Sequence, residues 1–291
     1  MRILVAVDGS DQSLHAVRAI EHLAHAEKVV MLHALDVPTL AYPMYHTMGG
    51  PRTLEGLSLS IEQAMREDGK RLLDRFAPLP LMDAGSVVKK LKKGLPGEVI
   101  LTTAEKVKAD LIVLGSRGLG PVKELLLGSV SHRVLTHASC PTLIVNRPMP
   151  SLRHILMAVQ GPEDAAAITA FLARRPFRNP IELTVLMALP FDKPLLPAGL
   201  AKVDQAIERF VSGARSFVEK IMSDLAALQI RSKERIVVGA PAPAILDEAA
   251  AAKPDLILMG SHGRRRLTRL VLGSVSHAVL HRSPCPVLIV R

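Results

Sequence analysis

An internal repeat constrains this sequence more than any other feature. Residues 110–146 align without a gap with residues 255–291, and 20 of the 37 paired positions are identical. The same offset of 145 residues pairs the G-x-P at 94–96 with the G-x-P at 239–241. Solenoid repeats have periods of about 20–50 residues. Each copy is therefore predicted to be a complete fold with its own core.

The junction between the copies can be located from the sequence. The segments ILVAVDGS at 3–10 and ILMAVQGP at 155–162 align at an offset of 152, so the second copy is seven residues shorter in its middle. Between the copies lies RPMPS at 147–151, whose two prolines disfavour both a helix and a strand ladder. We expect a first domain at 1–147 and a second at 152–291.

Short apolar runs alternate with longer amphipathic stretches within each copy, which is typical of an α/β protein. Runs such as LIVLG and TLIVN show no polar alternation, as in strands that helices cover on both faces. The sheets are therefore predicted to be mostly parallel and doubly wound. In the first copy we predict strands at 3–7, 29–35, 86–92, 110–114 and 142–146, and helices at about 10–25, 57–76, 97–108 and 128–138.

The sequence argues against a membrane protein, a secreted protein, a disulfide framework and a metal site. No apolar run approaches the roughly 18 residues of a membrane-spanning helix, and the N-terminus has no cleavage site of a secretory signal, so we expect no membrane association and a cytoplasmic location. Cys140 and Cys285 are too few for a disulfide framework and lack metal-ligand spacing. His15, His22 and His25 have no carboxylate partner at a zinc-motif spacing, so no metal site is predicted.

The net charge of +10 lies mainly in the second copy. Residues 1–147 hold 18 Lys+Arg and 15 Asp+Glu, net +3, which leaves 19 and 12, net +7, for the rest. A cluster of four arginines follows Gly263 and either clamps an anion or forms a solvated loop: Arg264, Arg265, Arg266 and Arg269. With no Trp, two Tyr and six Phe, the chain offers few stacking platforms, and nucleic-acid binding is not expected.

A glycine pattern follows the fourth predicted strand of each copy. In the first copy it is G-x2-G-x9-G-S, from Gly115 through Gly118 to Gly128-Ser129, and the second copy repeats it at identical spacing from Gly260. Glycines at a strand end let backbone N–H groups approach an anion, and a helix start adds free N–H groups and the positive end of the helix dipole. One such residue is explained by a tight turn or a helix cap. The doubled pattern instead favours two phosphate cradles.

These motifs together resemble the universal stress protein family, with one family domain in each copy. The resemblance rests on VDGS at 7–10, the G-x-P segments, the glycine pattern with its G-S-V-S ending, and the terminal C-P-x-L-I-V strand. It implies five-stranded parallel sheets in the order 3-2-1-4-5, flanked by helices. It also implies ATP binding, since family members with the glycine pattern bind ATP.

The resemblance also implies the site residues. In the first copy Asp8 would face the adenosine, beside Gly9 and Ser10, and the backbone near Ala34 would read the adenine edge. The alternative for Asp8 is a cap or turn residue within D-G-S. The ribose and phosphates would contact two glycine segments: Gly115, Arg117 and Gly118, then Gly128, Ser129, Val130 and Ser131. The matching residues of the second copy are Gly260, His262, Gly263, Gly273, Ser274, Val275 and Ser276.

The second copy departs from the family pattern where the acid should stand. Gln160 aligns with Asp8, and Gly161-Pro162 replaces Gly9-Ser10. An amide can still form hydrogen bonds, but the acidic contact is lost. We expect tight nucleotide binding in the first copy and weaker or altered binding in the second.

The function implied is binding rather than catalysis. A Walker A lysine, a kinase catalytic loop and a G-x-S-x-G elbow are all missing from the sequence. We expect a regulatory protein of the stress response whose conformation or partner affinity depends on bound ATP, the partner being unidentified. Two alternatives stay open: slow ATP hydrolysis or phosphoryl transfer by the cradle with Mg²⁺, and a scaffold whose nucleotide is incidental.

Two expectations concern assembly and access to the site. Family domains pair through their last strand, and both copies keep an apolar one, LIVN at 143–146 and LIVR at 288–291, so we expect an intramolecular pseudo-twofold pair; a homodimer stays open. The Pro- and Gly-rich segment 36–56 reads as a long loop. It is either a lid or partner surface over the adenosine, through Tyr42, Met44 and Tyr45, or it packs against the second copy.

Overall fold

A computed structural model describes residues 1–37, 51–76, 84–118, 127–190, 201–261 and 272–291. Within the helices that begin at Pro51 and Ala201, side chains are described from residue 58 and from residue 208. Parallel strands alternate with helices through both copies, which confirms the predicted α/β class. Among these residues no helix is long and apolar enough to cross a membrane. The cytoplasmic location stays a prediction.

Besides a short 3₁₀ helix at Ile20–His22, the described residues of the first copy form five strands and four α-helices. They are β1 Arg2–Ala6, α1 Asp11–Ala19, β2 Lys28–Leu35, α2 Pro51–Phe76, β3 Val87–Lys93, α3 Pro96–Val107, β4 Leu111–Gly115, α4 Ser129–His137 and β5 Thr142–Val145.

The second copy repeats this order. Its elements are β6 His154–Val159, α5 Pro162–Ala173, β7 Glu182–Leu189, α6 Ala201–Ala227, β8 Arg231–Val238, α7 Pro241–Ala252, β9 Leu256–Gly260, α8 Ser274–Arg282 and β10 Val287–Val290.

The ten strands of the described residues form one sheet in the order β3-β2-β1-β4-β5-β10-β9-β6-β7-β8. Each copy therefore has the strand order 3-2-1-4-5, and every pairing within a copy is parallel. β5 and β10 pair antiparallel, with Leu143 opposite Leu288. Because β1 lies between β2 and β4, the loops after these strands open at the same edge, where strand order reverses.

Successive residues of each strand pack on opposite faces of the sheet. Ile3 and Val5 belong to the core beneath α1, α2, α5 and α6, whereas Leu4 belongs to the core beneath α3, α4, α7 and α8. All three side chains are fully buried. This double burial explains why the strands lack polar alternation.

The second helix begins earlier than the sequence indicated. We expected a loop through residue 56, but α2 starts at Pro51. A proline at the first position of a helix loses no hydrogen bond, since its missing N–H would have no partner within the helix. Residues 38–50, which hold Tyr42, Met44 and Tyr45, lie outside the described residues, so the proposed lid stays a prediction.

Backbone hydrogen bonds also join the copies away from the strand pair. The N–H of Ala24 donates to the carbonyl of Pro176 at 2.8 Å, and the N–H of Arg178 donates to the carbonyl of His22 at 3.0 Å. The Arg174 guanidinium contacts Asp110 at 2.6 Å. The two halves thus share contacts on the α1 side as well as at the centre of the sheet.

Candidate functional site

A cavity of about 620 Å³ lies at the carboxyl ends of β1, β2 and β4 in the first copy. This is the edge at which open parallel sheets bind ligands. The cavity is lined by Ala6, Val7, Asp8, Ser13, Leu32, Ala34, Asp36, Pro96, Ile100, Leu114, Gly115, Arg117, Gly118, Leu127, Gly128, Ser129, Val130 and Ser131.

Asp8 follows β1 and has its two carboxylate oxygens in different settings. Oδ1 accepts hydrogen bonds from the N–H of Ser10 at 3.0 Å and from its hydroxyl at 2.6 Å. Oδ2 lies against Gly118, where an added Cβ atom would overlap it. The carboxylate is therefore held by the turn on one side and presented to the cavity on the other.

Gly9 and Ser10 do not line the cavity but shape the turn that carries Asp8. Gly9 has φ +89°, a left-handed conformation that favours glycine. The Ser10 hydroxyl also caps α1, accepting the N–H of Ser13 at 3.2 Å. D-G-S therefore forms the turn that caps α1 and also places Asp8 at the cavity.

Gly115 ends β4 where α1 passes very close to the strand. A Cβ atom on Gly115 would lie 2.8 Å from the backbone carbon of Gln12 and 3.0 Å from the nitrogen of Ser13. Real Cβ atoms essentially never approach that closely. The glycine is thus required by packing of the α1 backbone as well as by the shape of the cavity.

The N-terminus of α4 forms the opposite wall of the cavity. Gly128 occupies the N-cap position with φ −74° and ψ 157°, no side chain caps the helix, and its first turn has no acidic residue. The N–H of Gly128 donates to the Ser116 carbonyl at 2.8 Å, and the Ser131 hydroxyl donates to the Gly115 carbonyl at 2.8 Å. These bonds fix the helix start against the strand end. The backbone N–H groups of the first turn are then well placed for an anion.

The remaining walls are mainly apolar and were not all found from the sequence. Ala34 lies on the β2 side, as expected, and Arg117 lies beside Gly118. Pro96 and Ile100 of α3 and Leu127 before α4 contribute apolar surface, and Asp36 adds a second carboxylate. Pro96 belongs to the G-x-P motif, but Ile100, Leu127 and Asp36 belong to no recognised motif, so only the topology brings these three to the cavity.

The second copy repeats the backbone frame of the cradle. Gly273 caps α8 with φ −61° and ψ 149°, and its N–H donates to the Ser261 carbonyl at 3.1 Å. The Ser276 hydroxyl donates to the Gly260 carbonyl at 3.0 Å. Ser274 and Val275 begin the helix, in the positions of Ser129 and Val130. Residues 262–271, including His262, Gly263 and the four arginines, lie outside the described residues.

One acidic residue near this second cradle was missed by the sequence analysis. Asp164, in the first turn of α5, lies against Gly260, where an added Cβ atom would overlap Oδ1 and approach Cγ to 2.7 Å. Burial raises the pKa of Asp164 to about 6, although the N–H of Gln160 hydrogen-bonds the carboxylate. Comparison of the two copies did not point to Asp164, because the residue of the first copy that aligns with it, Gln12, is not acidic.

Other candidate groups lie away from both cradles. In the described parts of the chain, no group of three or more His, Cys, Asp or Glu side chains is arranged to hold a metal ion. Nε2 of His22 lies 2.6 Å from the Met149 carbonyl. Cys140 and Cys285 are free thiols whose pKa burial raises to about 11, so they are not reactive thiolates at neutral pH.

Comparisons with known proteins agree with this architecture. A universal stress protein of Mycobacterium tuberculosis is 30% identical over 191 residues, and the alignment covers 63% of this chain and only 62% of that relative. A universal stress protein structure from Archaeoglobus fulgidus DSM 4304 matches with a TM-score of 0.59 and 23% identity over 99% of this chain and 95% of its own, which shows a shared fold.

A second Archaeoglobus fulgidus structure, a universal stress protein in complex with dAMP, matches 48% of this chain and 98% of its own at 17% identity, with a TM-score of 0.35. The family model described as the universal stress protein family matches residues 1–146 and again residues 151–291. The chain therefore belongs to the universal stress protein family, with two family units in tandem.

Proposed function

We propose that the first copy binds ATP in the cavity at the ends of β1, β2 and β4, and that bound nucleotide regulates the protein. The observation that carries this proposal is the convergence of an oriented carboxylate, three glycines and an open helix N-terminus on one cavity. Its volume of about 620 Å³ falls within the roughly 300–1,000 Å³ of small-molecule sites.

The residues divide by chemistry into three regions. The first-turn N–H groups of Ser129, Val130 and Ser131 suit a phosphate tail, because they carry the positive end of the α4 dipole. Asp8 suits a neutral hydroxyl donor, because a carboxylate attracts a donor and repels a phosphate. The apolar wall around Ala34 and Ile100 suits the base. A nucleoside polyphosphate combines these three properties.

Regulation requires only that ATP bind two conformations with different affinity. We further propose domains at 1–147 and 152–291 that act as an intramolecular pair in solution, joined by the β5–β10 ladder. Pairing also covers two apolar edge strands, which would otherwise promote aggregation. Mg²⁺, if it accompanies ATP, has the carboxylates of Asp8 and Asp36 within the same cavity.

Titration of the full chain with ATP by calorimetry tests the proposal. We expect a micromolar dissociation constant for the tighter site, about −8 kcal/mol. The variant Gly118→Val should weaken that site at least tenfold, because any Cβ at 118 displaces the Asp8 carboxylate. Gly213→Ala is the matched control, since nothing lies within 4 Å of its added Cβ.

Unchanged affinity in Gly118→Val, with the control also unchanged, would remove this loop from the site. Absence of any ATP binding to the wild-type chain would remove the proposed function altogether.

A further inference from the structure

The hydrogen-bond ladders between the first two strands of each copy end at different positions. The pairing of β1 with β2 ends at Ala6, whereas the pairing of β6 with β7 continues one residue further, to Val159 opposite Met187. In the first copy the corresponding residues are Val7 and His33, which follow the last pair of that ladder. The first copy therefore has a shorter ladder at the edge of the sheet where the cavity lies.

The side chain of His33 explains where the first ladder ends. Nδ1 of His33 lies 2.7 Å from the carbonyl oxygen of Val7. A carbonyl oxygen only accepts hydrogen bonds, so Nδ1 carries the proton and the imidazole is the donor. The N–H of Val7 donates to the Leu32 carbonyl at 2.9 Å, so in a continued ladder the Val7 carbonyl would accept the N–H of Ala34. Methionine offers no donor, and at Met187 the ladder continues.

The shorter ladder leaves the backbone of Ala34 directed to the cavity. Alternate residues of a strand bond to the same neighbouring strand, and the Leu32 carbonyl bonds to the chain after β1, so the N–H and carbonyl of Ala34 point to that side as well. Among the described residues, no backbone hydrogen bond joins the Ala34 N–H to Val7. Val7 and Ala34 both line the cavity. The end of β2 thus presents a donor and an acceptor side by side.

The long helix α2 holds the imidazole in this orientation. A Cβ atom added to Gly69 of α2 would lie 2.8 Å from Cδ2 of His33 and 2.7 Å from Cδ1 of Leu91, the residue opposite His33 on β3. Glycine at position 69 therefore lets the helix backbone close over the ring. His33 is not among the residues that line the cavity, so it acts on the cavity through the backbone of Val7 and Ala34.

Resting on the proposed function, we propose that His33 is a positioning residue of the first nucleotide site. By occupying the Val7 carbonyl, it leaves the Ala34 N–H available to donate to a ring nitrogen of the base, while the Ala34 carbonyl accepts from the amino group. Adenine carries a ring-nitrogen acceptor beside an amino donor. In the second copy the continued ladder keeps the matching N–H, that of Ala188, within the sheet.

The first measurement needs no ligand. Amide hydrogen exchange followed by NMR on the full chain compares Ala34 in the wild type, in His33→Met and in His33→Asn. Methionine is the residue of the second copy, and asparagine is the matched control because its side-chain amide places a donor near the position of Nδ1. We expect the Ala34 amide to exchange about tenfold more slowly in His33→Met than in the other two chains, because it joins the ladder. Thermal unfolding verifies the fold of each variant.

The second measurement is ATP binding to the same three chains by calorimetry. His33→Met should weaken the tighter site about fivefold, the effect of one net hydrogen bond, and His33→Asn should change it less than about twofold. Inorganic triphosphate, which has no base, should bind the three chains alike, because the N-terminus of α4 is not altered.

Equal exchange of Ala34 in the wild type and His33→Met would overturn the proposal. Equal weakening of ATP by both variants, or an equal loss of ATP and triphosphate affinity, would also overturn it, because His33 would then only support the fold. Unchanged ATP affinity in His33→Met, while the wild-type chain binds ATP, would overturn it and leave the proposed function standing. Absence of ATP binding to the wild-type chain would reject both.

Discussion

The strand ends at Gly115 and Gly260 have the same backbone surroundings and different side-chain surroundings. Each carbonyl accepts a serine hydroxyl from the next helix, at 2.8 Å in the first copy and 3.0 Å in the second. The groups packed against the two glycines differ, since Gly115 lies against the backbone of Gln12 and Gly260 against the carboxylate of Asp164. The comparison shows that the backbone to which we assign phosphate binding is preserved between the copies, whereas the side chains beside it differ.

The largest effect on stability is expected from adding a methyl group at these two strand ends. Gly115→Ala places its Cβ 2.8 Å from the Gln12 backbone, which cannot move without shifting α1, and should cost about 1–3 kcal/mol. Gly260→Ala places its Cβ 2.7 Å from Cγ and 3.1 Å from Cβ of Asp164, and it should cost less because a side chain can turn away more easily than the α1 backbone can shift. Denaturant unfolding of both variants measures the difference. A larger loss for Gly260→Ala would show that Asp164 is held rigidly.

Asp110 and Asp255 occupy equivalent positions in the two copies, directly before β4 and β9. Asp110 accepts the N–H of Arg2 at 2.7 Å and contacts the Arg174 guanidinium. Asp255 accepts the Ser151 hydroxyl at 2.7 Å and two backbone N–H groups at 2.8 and 2.9 Å. Burial by itself would raise the pKa of both carboxyls, but these bonds outweigh it and lower the pKa.

Asp255→Asn should cost about 1–2 kcal/mol at pH 7, because bonds to a charged acceptor are lost. Asp110→Asn should cost less, since one of its partners is the half-exposed Arg174, and exposed ion pairs contribute little. A depressed folded pKa gives stability above the unfolded value of about 3.9 and loses it as pH falls through the folded pKa. Both deficits should therefore shrink below pH 4 in urea unfolding. If the stability lost in the two variants did not depend on pH, the loss would arise from altered packing and not from the ionised carboxylates.

The sequence was sufficient for the elements that depend on local pattern. Apolar runs located all five strands of the first copy to within one residue at each end, because double burial leaves no polar position in the central strands. The strand order came only through the family resemblance, since periodicity does not encode which strands are neighbours. The start of α2 was placed six residues late because Pro51 was taken as a loop residue.

The site was predictable where glycine spacing encodes backbone geometry and was not predictable elsewhere. Gly118 and Gly128 were found from their spacing, but the packing of Gly115 against Gln12 depends on a contact across the chain. Ile100 and Asp36 reach the cavity by topology alone. Asp164 was missed because the family pattern directs attention to position 160, and Asp164 belongs to no motif.

The smallest expected effect is the pH dependence of stability at Asp164. Its pKa of about 6 in the folded chain lies above the unfolded value of about 3.9, so ionisation weakens the fold. This contribution is fully present below pH 4 and is lost as pH rises through 6. Asp164→Asn should therefore be more stable than the wild type at pH 7.5, on the order of 1 kcal/mol after allowance for solvent screening, and equal to it at pH 4. If Asp164→Asn were more stable than the wild type by the same amount at pH 7.5 and at pH 4, ionisation of Asp164 would not be the cause.

Hydrogen–deuterium exchange of the wild-type chain against increasing ATP tests the central claim, a nucleotide cradle in each copy with the tighter one first. We predict that the amides of Ser129, Val130 and Ser131 become protected at micromolar ATP, and that Ser274, Val275 and Ser276 become protected only at higher concentration. Amides of β3, at the far edge of the sheet, should not change. Unaltered exchange at 129–131 under saturating ATP, or protection of 274–276 first, would contradict the account.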